Sequence, residues 1–315
     1  MPIAAITMSH SPLLEFVDPP ADVKAQVETA FGEARRFAAE FNPDLVINFA
    51  PDHYNGFFYD VMPPFCVGHA ATAIGDFGSQ AGSLDVDTQV AQHLTAAVLD
   101  ADVDIAASLT MQIDHGAVQP LQILFGDIAA KPVVPIFINS VAAPFAPIRR
   151  IRRLGEVVGR FVANELSDRK VLVIGSGGLS HEPPVPQLAT AEGQIRADLL
   201  GAGRDLSPAG RQARQDRVIA AARDFAAGGT GTKPLAPEWD RRFMDLMEQG
   251  DFDTVDEWTA DEMTRVAGNS SHEVRTWVAS YAAMAAAGGY RTEYAFYRPI
   301  REYVAGFGVT TVAAR

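Results

Sequence analysis

Leu45-Val-Ile-Asn-Phe-Ala-Pro-Asp-His53 is the stretch that decides the fold. Its opening residues, rich in Leu, Val, Ile and Phe, read as a buried β-strand. The strand runs into Ala50-Pro51-Asp52 and then presents His53. The pattern recurs in Pro2–His10 (PIAAITMSH), which ends in His10, and in Lys170–His181 (KVLVIGSGGLSH), which reaches His181 through a glycine-rich turn. A weaker copy, Asp104–His115 (DIAASLTMQIDH), ends in His115. Four of the seven histidines thus fall just past the carboxyl end of an expected strand. In an open α/β sheet, that edge is where ligands bind.

Working outward, residues 20–41 carry Val23, Val27, Phe31, Ala34 and Ala38 at helical spacing. The chain therefore opens β-α-β, with parallel strands and a right-handed crossover. Residues 54–84 are aromatic and rich in glycine and proline, and read as a long loop with room for a short hairpin. A helix over 86–99 follows, then a strand over 103–109 and a short helix over 117–126. Lys131–Asn139 (KPVVPIFIN) reads as a strand whose two prolines suggest an edge position or a bulge. A helix over 147–166 leads to the 170–175 strand. Residues 186–265 are mainly helical, over roughly 190–201, 208–227 and 237–249. A further helix spans 270–286, and 290–312 looks like closing strands. The expectation is an α/β fold: a single domain over 1–315, with a central, mostly parallel sheet flanked by helices. The active site belongs at the carboxyl ends of the strands.

A chain of 315 residues with 48% hydrophobic content can bury a large core. Its net charge of −13 argues against nucleic acid or an anionic membrane as partner. The basic cluster Arg149, Arg150, Arg152 and Arg153 reads as a solvated helix face. Cys66 is the one cysteine, so no internal disulfide and no thiolate zinc site are expected. No signal peptide or membrane span is recognisable, which points to the cytoplasm.

Neutral imidazole is the commonest metal ligand, and a two-histidine site of the facial type takes one carboxylate. Glu273 is a candidate, because Glu273, Trp277 and Tyr281 share one helical face. Ser270-x-x-Glu273 is equally a capping box, in which the glutamate would only bond a backbone amide. Asp52 and Asp114, each beside a key histidine, are rival ligands or groups that orient the histidines. His69 and His93 read as structural. H-E-x-x-H, G-x-G-x-x-G, P-loop and G-x-S-x-G patterns are all missing from the sequence.

Ser9-His10-Ser11-Pro12, Pro51-Asp52-His53-Tyr54-Asn55, Asp114-His115-Gly116, Gly175-Ser-Gly-Gly-Leu-Ser-His181 and Glu273-Val-Arg-Thr-Trp277, in this order, resemble the type III extradiol ring-cleaving dioxygenases. The resemblance runs over essentially the whole chain. It implies a mononuclear non-haem Fe(2+), with His10, His53 and Glu273 as the ligands. It also implies His115 as proton donor, His181 as proton acceptor, and a catechol plus O2 as the reactants. Enzymes of this kind tend to form homo-oligomers. A carboxylate on the substrate side chain would suit an arginine or lysine, and Arg275, Arg298 and Lys233 stand as unranked candidates. A zinc-dependent hydrolase using the same histidines, and a metal-binding interaction module without catalysis, are the rival readings.

Overall fold

The computed structural model describes residues 3–315, so Pro2 of the first expected strand lies outside the described residues. Its strands are β1 (Ile3–Met8), β2 (Leu45–Ala50), β3 (Phe65–Gly68), β4 (Ala71–Ile74), β5 (Ala81–Ser83), β6 (Ala106–Ser108), β7 (Met111–Ile113), β8 (Val133–Ile138), β9 (Val171–Ser176), β10 (Tyr290–Ile300) and β11 (Ala305–Ala314). The helices are α1 (Ala21–Phe41), α2 (Thr88–Asp100), α3 (His115–Phe125), α4 (Ile148–Glu165), α5 (Gly193–Leu199), α6 (Pro208–Ala226), α7 (Pro237–Gln249), α8 (Phe252–Asp256), α9 (Ala260–Ala267) and α10 (Val274–Ala286).

Eight strands form one sheet in the order β10-β11-β1-β9-β2-β8-β3-β6. Its centre is parallel through the β1–β9, β9–β2 and β2–β8 pairings. β1, β2, β8 and β9 are buried at every position, as strands covered by helices on both faces must be. The opening β-α-β is as expected, with β9 inserted between its two strands. The closing strands β10 and β11 form an antiparallel pair that joins the sheet through β1.

Three expectations change. β8 is an inner strand, between β2 and β3, despite its proline. Its antiparallel ladder with β3 includes Val67↔Ile136 and goes no further toward Pro135. The Pro135 ring there occupies the space that a side chain at Gly68 would need, 2.9 Å from the ideal Cβ position. The 54–84 region contributes β3 to the main sheet, in addition to the antiparallel β4–β5 hairpin. Finally, the segment before His115 is split. β6 closes the edge of the main sheet, while β7 belongs to a separate three-stranded sheet with β4 and β5. His115 is therefore the first residue of α3, which starts earlier than its periodicity suggests, and not the end of a main-sheet strand.

The basic residues of α4 are the solvated face expected of them: Arg152 pairs with Glu156, Asp253 and Asp256, and Arg150 with Asp104. The opposite face of α4 lies directly on α10. A Cβ added to Gly155 would sit 2.2 Å from the Ala279 carbonyl oxygen, and one on Gly159 would sit 2.1 Å from that of Ala283. Alanine normally stabilises an exposed helix relative to glycine by up to ~1 kcal/mol. Gly159→Ala should instead destabilise by roughly 1–3 kcal/mol, the usual cost of overpacking. Gly32→Ala on α1, where nothing lies within 4 Å of the added carbon, should be neutral or stabilising. Urea unfolding of the two variants beside the parent chain tests the contrast, and equal effects would refute it.

Candidate active site

Each strand-end histidine is held by a local network that the sequence supplies. After β1, the Ser9 amide donates to the Gly308 carbonyl at 2.8 Å and the Ser9 hydroxyl accepts from the Gly308 amide at 2.9 Å. Gln119 of α3 then grips both backbone groups of Ser11, so His10 sits in a backbone fixed on both sides. After β2, the Asp52 carboxylate accepts the amides of Asn55, Gly56 and Phe57 and forms a tight turn around His53. Gly56 is needed there, because a Cβ would lie 2.2 Å from the Gln112 carbonyl oxygen. After β9, His181 forms an antiparallel bridge with Ala305 of β11. Ser180, just before it, donates to buried Asp240 through both its amide and its hydroxyl, each at 2.7 Å.

The four imidazoles share one arrangement. The outer nitrogen, Nδ1, of each is bonded away from the centre: His10 to Ser176 Oγ (3.0 Å), His53 to Asp114 (3.0 Å), His115 to Asp76 (2.6 Å) and His181 to the Leu179 carbonyl (2.9 Å). Ser176 donates its own proton to the Gly116 carbonyl, so its oxygen is the acceptor for His10. These partners accept from Nδ1–H and aim Nε2 of each ring inward, where it is a lone pair in the neutral ring and a donor in the imidazolium. At the centre lies the Glu273 carboxylate, 1% exposed, with Nε2 of His53 and of His181 each at 3.2 Å and Nε2 of His10 at 3.5 Å. Its second oxygen accepts the Gly178 amide at 2.8 Å. The His115 ring stacks on His53 at 4.6 Å between centroids and meets His10 edge-on at 5.5 Å.

Electrostatics follow from this packing. Burial alone would raise Glu273, but the facing His181 and His10 rings hold it well below the usual carboxylate range. Burial lowers His10 to about 3, against the pull of Glu273. For His53, burial is outweighed by Asp114 and Glu273, and its pKa is raised. The capping-box alternative for Glu273 fails, since Ser270 makes no side-chain capping bond and the carboxylate points at the imidazoles. Asp52 and Asp114 are engaged in orienting bonds, although Asp114 also lies within 4.8 Å of Asp76 and His115. Asp52 is consumed by its turn, and Asp114 accepts from His53 N and Nδ1, Asn55 Nδ2 and the Gly116 amide.

The donor set fits a divalent metal. Two donors ~2.1 Å from one ion and at right angles to each other lie about 3 Å apart, close to the separations at Glu273. Ring nitrogens of His10, His53 and His115 also fall within 4.8 Å of one another. The cluster forms the floor of a cavity of ≈ 720 Å³, ample for a small aromatic ligand. Tyr54 and Phe58 of the aromatic loop line it, and residues 183–218, including α5 and α6, roof it. His69 and His93 are not at the centre: His69 bonds Thr95, and His93 is exposed on α2. The seventh histidine, His272, is bonded to Thr264 and Arg275.

Sequence reasoning missed Asp76, Ser176 and Arg214, whose guanidinium donates to the backbone carbonyls of His53 and Tyr54. For Asp76 the signal was weak: a lone acid between Gly75 and Gly78, both at positive φ, in a region without periodicity. None of Arg275, Arg298 and Lys233 lines the cavity. Arg275 is buried against His272 and Ala146, Arg298 faces Gln26 and Asp22, and Lys233 binds carbonyls of Thr264 and Arg265.

The parallel-centred sheet brings His10, His53 and His181 to its carboxyl edge, where His115 of α3 and Glu273 before α10 meet them. The family described as the catalytic LigB subunit of aromatic ring-opening dioxygenase matches residues 4–308, and the chain belongs to it. It is 54% identical over 312 residues to the 2,3-dihydroxyphenylpropionate/2,3-dihydroxicinnamic acid 1,2-dioxygenase of Rhodococcus globerulus, covering 99% of this chain and 98% of that one. The protein of the same name from Rhodococcus jostii (strain RHA1) is 53% identical, covering 100% and 99%. That of Pseudomonas putida, whose name carries a final 1, is 54% identical, covering 96% and 95%.

Removing the Asp114 side chain frees four hydrogen-bond donors that converge on one buried group. Asp114→Ala should cost roughly 3–5 kcal/mol, as for other buried charge partners. Asp114→Asn, which keeps an acceptor oxygen, should cost less. Chemical denaturation of both variants decides, and an Asp114→Ala variant as stable as the parent chain would count against the network.

Proposed function

We propose that the chain cleaves the ring of 2,3-dihydroxyphenylpropionate, and of 2,3-dihydroxycinnamate, beside one hydroxyl with O2, giving 2-hydroxy-6-oxonona-2,4-dienedioate from the first. The observation that carries the reading is the convergence of inward imidazole nitrogens on buried Glu273 at the floor of a cavity. Family membership and the full-length similarity to the named dioxygenases support the substrate. In this reading residues 1–315 act as one catalytic domain in the cytosol. No helix among the described residues is long and apolar enough to cross a membrane.

His10, His53 and Glu273 would hold Fe(II), a two-histidine, one-carboxylate set that leaves positions for a catechol and O2. Bound there, the iron would supply Lewis acidity to the catechol oxygens and redox chemistry with O2. The chain's own residues do the rest. His181, with Nδ1 tied to the Leu179 carbonyl, has Nε2 ready to accept a catechol hydroxyl proton. His115, oriented by Asp76 at 2.6 Å, donates a proton to the oxygen that leaves at ring opening. Phe77, edge-on to His115 at 5.1 Å, and the roof segment exclude bulk water from the reacting centre.

Single variants separate the roles. His10→Gln, His53→Gln and Glu273→Gln should each lose iron, because each removes one of three protein ligands. His115→Gln and His181→Gln should keep iron and lose roughly 10²–10⁴-fold in turnover, the range for general acid–base catalysis. His115→Gln should still take up some O2 without forming the ring-opened product, whereas His181→Gln should be impaired from catechol activation onward. Iron content, O2 uptake and product absorbance are measured together. Iron lost from either acid–base variant but kept in His10→Gln would overturn the ligand set.

A further inference from the structure

The roof of the cavity carries three arginines beside one acid, Asp198 of α5. Arg211, Arg214 and Arg217 of α6 all line it. Arg214 is half-buried, and its hydrogen bonds go to two neutral acceptors, the carbonyls of His53 and Tyr54. Arg211 is likewise held by carbonyls, those of Leu206 and Arg204. Neither is bonded to a carboxylate among the described residues, although Arg35 and Arg36 of α1 and Arg150 and Arg152 of α4 are. A guanidinium has five N–H donors, so several on each side chain remain for a ligand. In a chain of net charge −13, such a cationic wall runs against the overall field and makes the cavity locally attractive to an anion.

We propose that Arg214, assisted by Arg211, binds the side-chain carboxylate of the catechol substrate. This rests on the ring-cleavage reading above. Arg214 touches the backbone of His53, so its free donors lie beside the imidazole cluster. A catechol whose hydroxyls face Glu273 and the histidines would extend its three-carbon arm along the cavity toward α6. The planar donor fork suits a carboxylate, and a fixed distance from floor to roof would favour an arm of this length. Holding the arm would also set which ring carbon faces O2.

The test compares 2,3-dihydroxyphenylpropionate with uncharged 3-propylcatechol on the iron-loaded, full-length enzyme. The readout is the ratio of their kcat/KM values, together with anaerobic binding of each followed by absorbance. Arg214→Met should lower the ratio roughly 10–100-fold, the range for a lost charge-assisted hydrogen bond. Arg214→Lys should restore part of it, and Arg211→Gln should lower it less. A purely structural role for Arg214 as a clamp on His53 would reduce both substrates equally and leave the ratio unchanged, which would overturn the proposal. If Arg214→Met does not fold, Arg211→Gln decides, since Arg211 makes no contact with the imidazole cluster. An unchanged ratio there would overturn the pairing. Failure of the parent enzyme to open either ring would reject the ring-cleavage reading instead.

Discussion

A carboxylate buried to 1% exposure cannot remain ionised without nearby positive charge, and Glu273 dictates much of what surrounds it. The structure meets that demand with the imidazoles of His53 and His181, whose pKa values the carboxylate raises, and with the Gly178 amide, while His10 Nε2 lies 3.5 Å away. Those partners come from β1, β2 and the turn after β9, while the glutamate precedes α10, far along the chain. Gly177 and Gly178 are small because the approach is tight. A Cβ on Gly177 would lie 2.6 Å from the Glu273 carbonyl oxygen, and one on Gly178 would lie 2.8 Å from the His181 ring. The glycine-rich turn that looks like a failed nucleotide loop is the seat of this carboxylate.

The parts legible in the sequence were those with a period or a repeat. The apolar strands ending in His10, His53 and His181, the long helices, and the closing hairpin all announced themselves by pattern. Continuous burial of β1, β2 and β9 made their signals strong. Pro135 misled because a proline reads as an edge signal, whereas here the ladder that would need its amide stops one residue earlier. β3 and the split before His115 were hidden by their shortness, since three or four residues carry too little alternation to stand out. Glu273 could not be resolved from spacing, because a capping glutamate and a ligand glutamate occupy the same place before a helix. Only the direction of the carboxylate separates them.

Asp76 and Arg214 illustrate a different limit. Each acts across a large sequence separation: Asp76 on the amide and Nδ1 of His115, Arg214 on the carbonyls of His53 and Tyr54. Nothing in their neighbours' chemistry points to those partners. α6 in particular has only Ile219, Ala222 and Phe225 as buried positions, so it reads as a surface helix, yet it roofs the cavity. A helix chosen for what it covers need not have a wide apolar stripe.

The contact of Gly155 and Gly159 with the α10 backbone has a consequence for how the molecule would fail. α10 is the lever on which Glu273 is mounted, and at Gly155 and Gly159 its backbone rests directly on that of α4. Slippage between these helices would move the carboxylate away from the imidazoles before the sheet itself is disturbed. Cofactor escape and the first step of denaturation would then be one event, and scavenging the released ion with a chelator would make that step irreversible. Ageing of the loaded protein would accordingly be governed by a helix seam on the far side of the sheet from α3 and α6, not by the cavity where chemistry occurs.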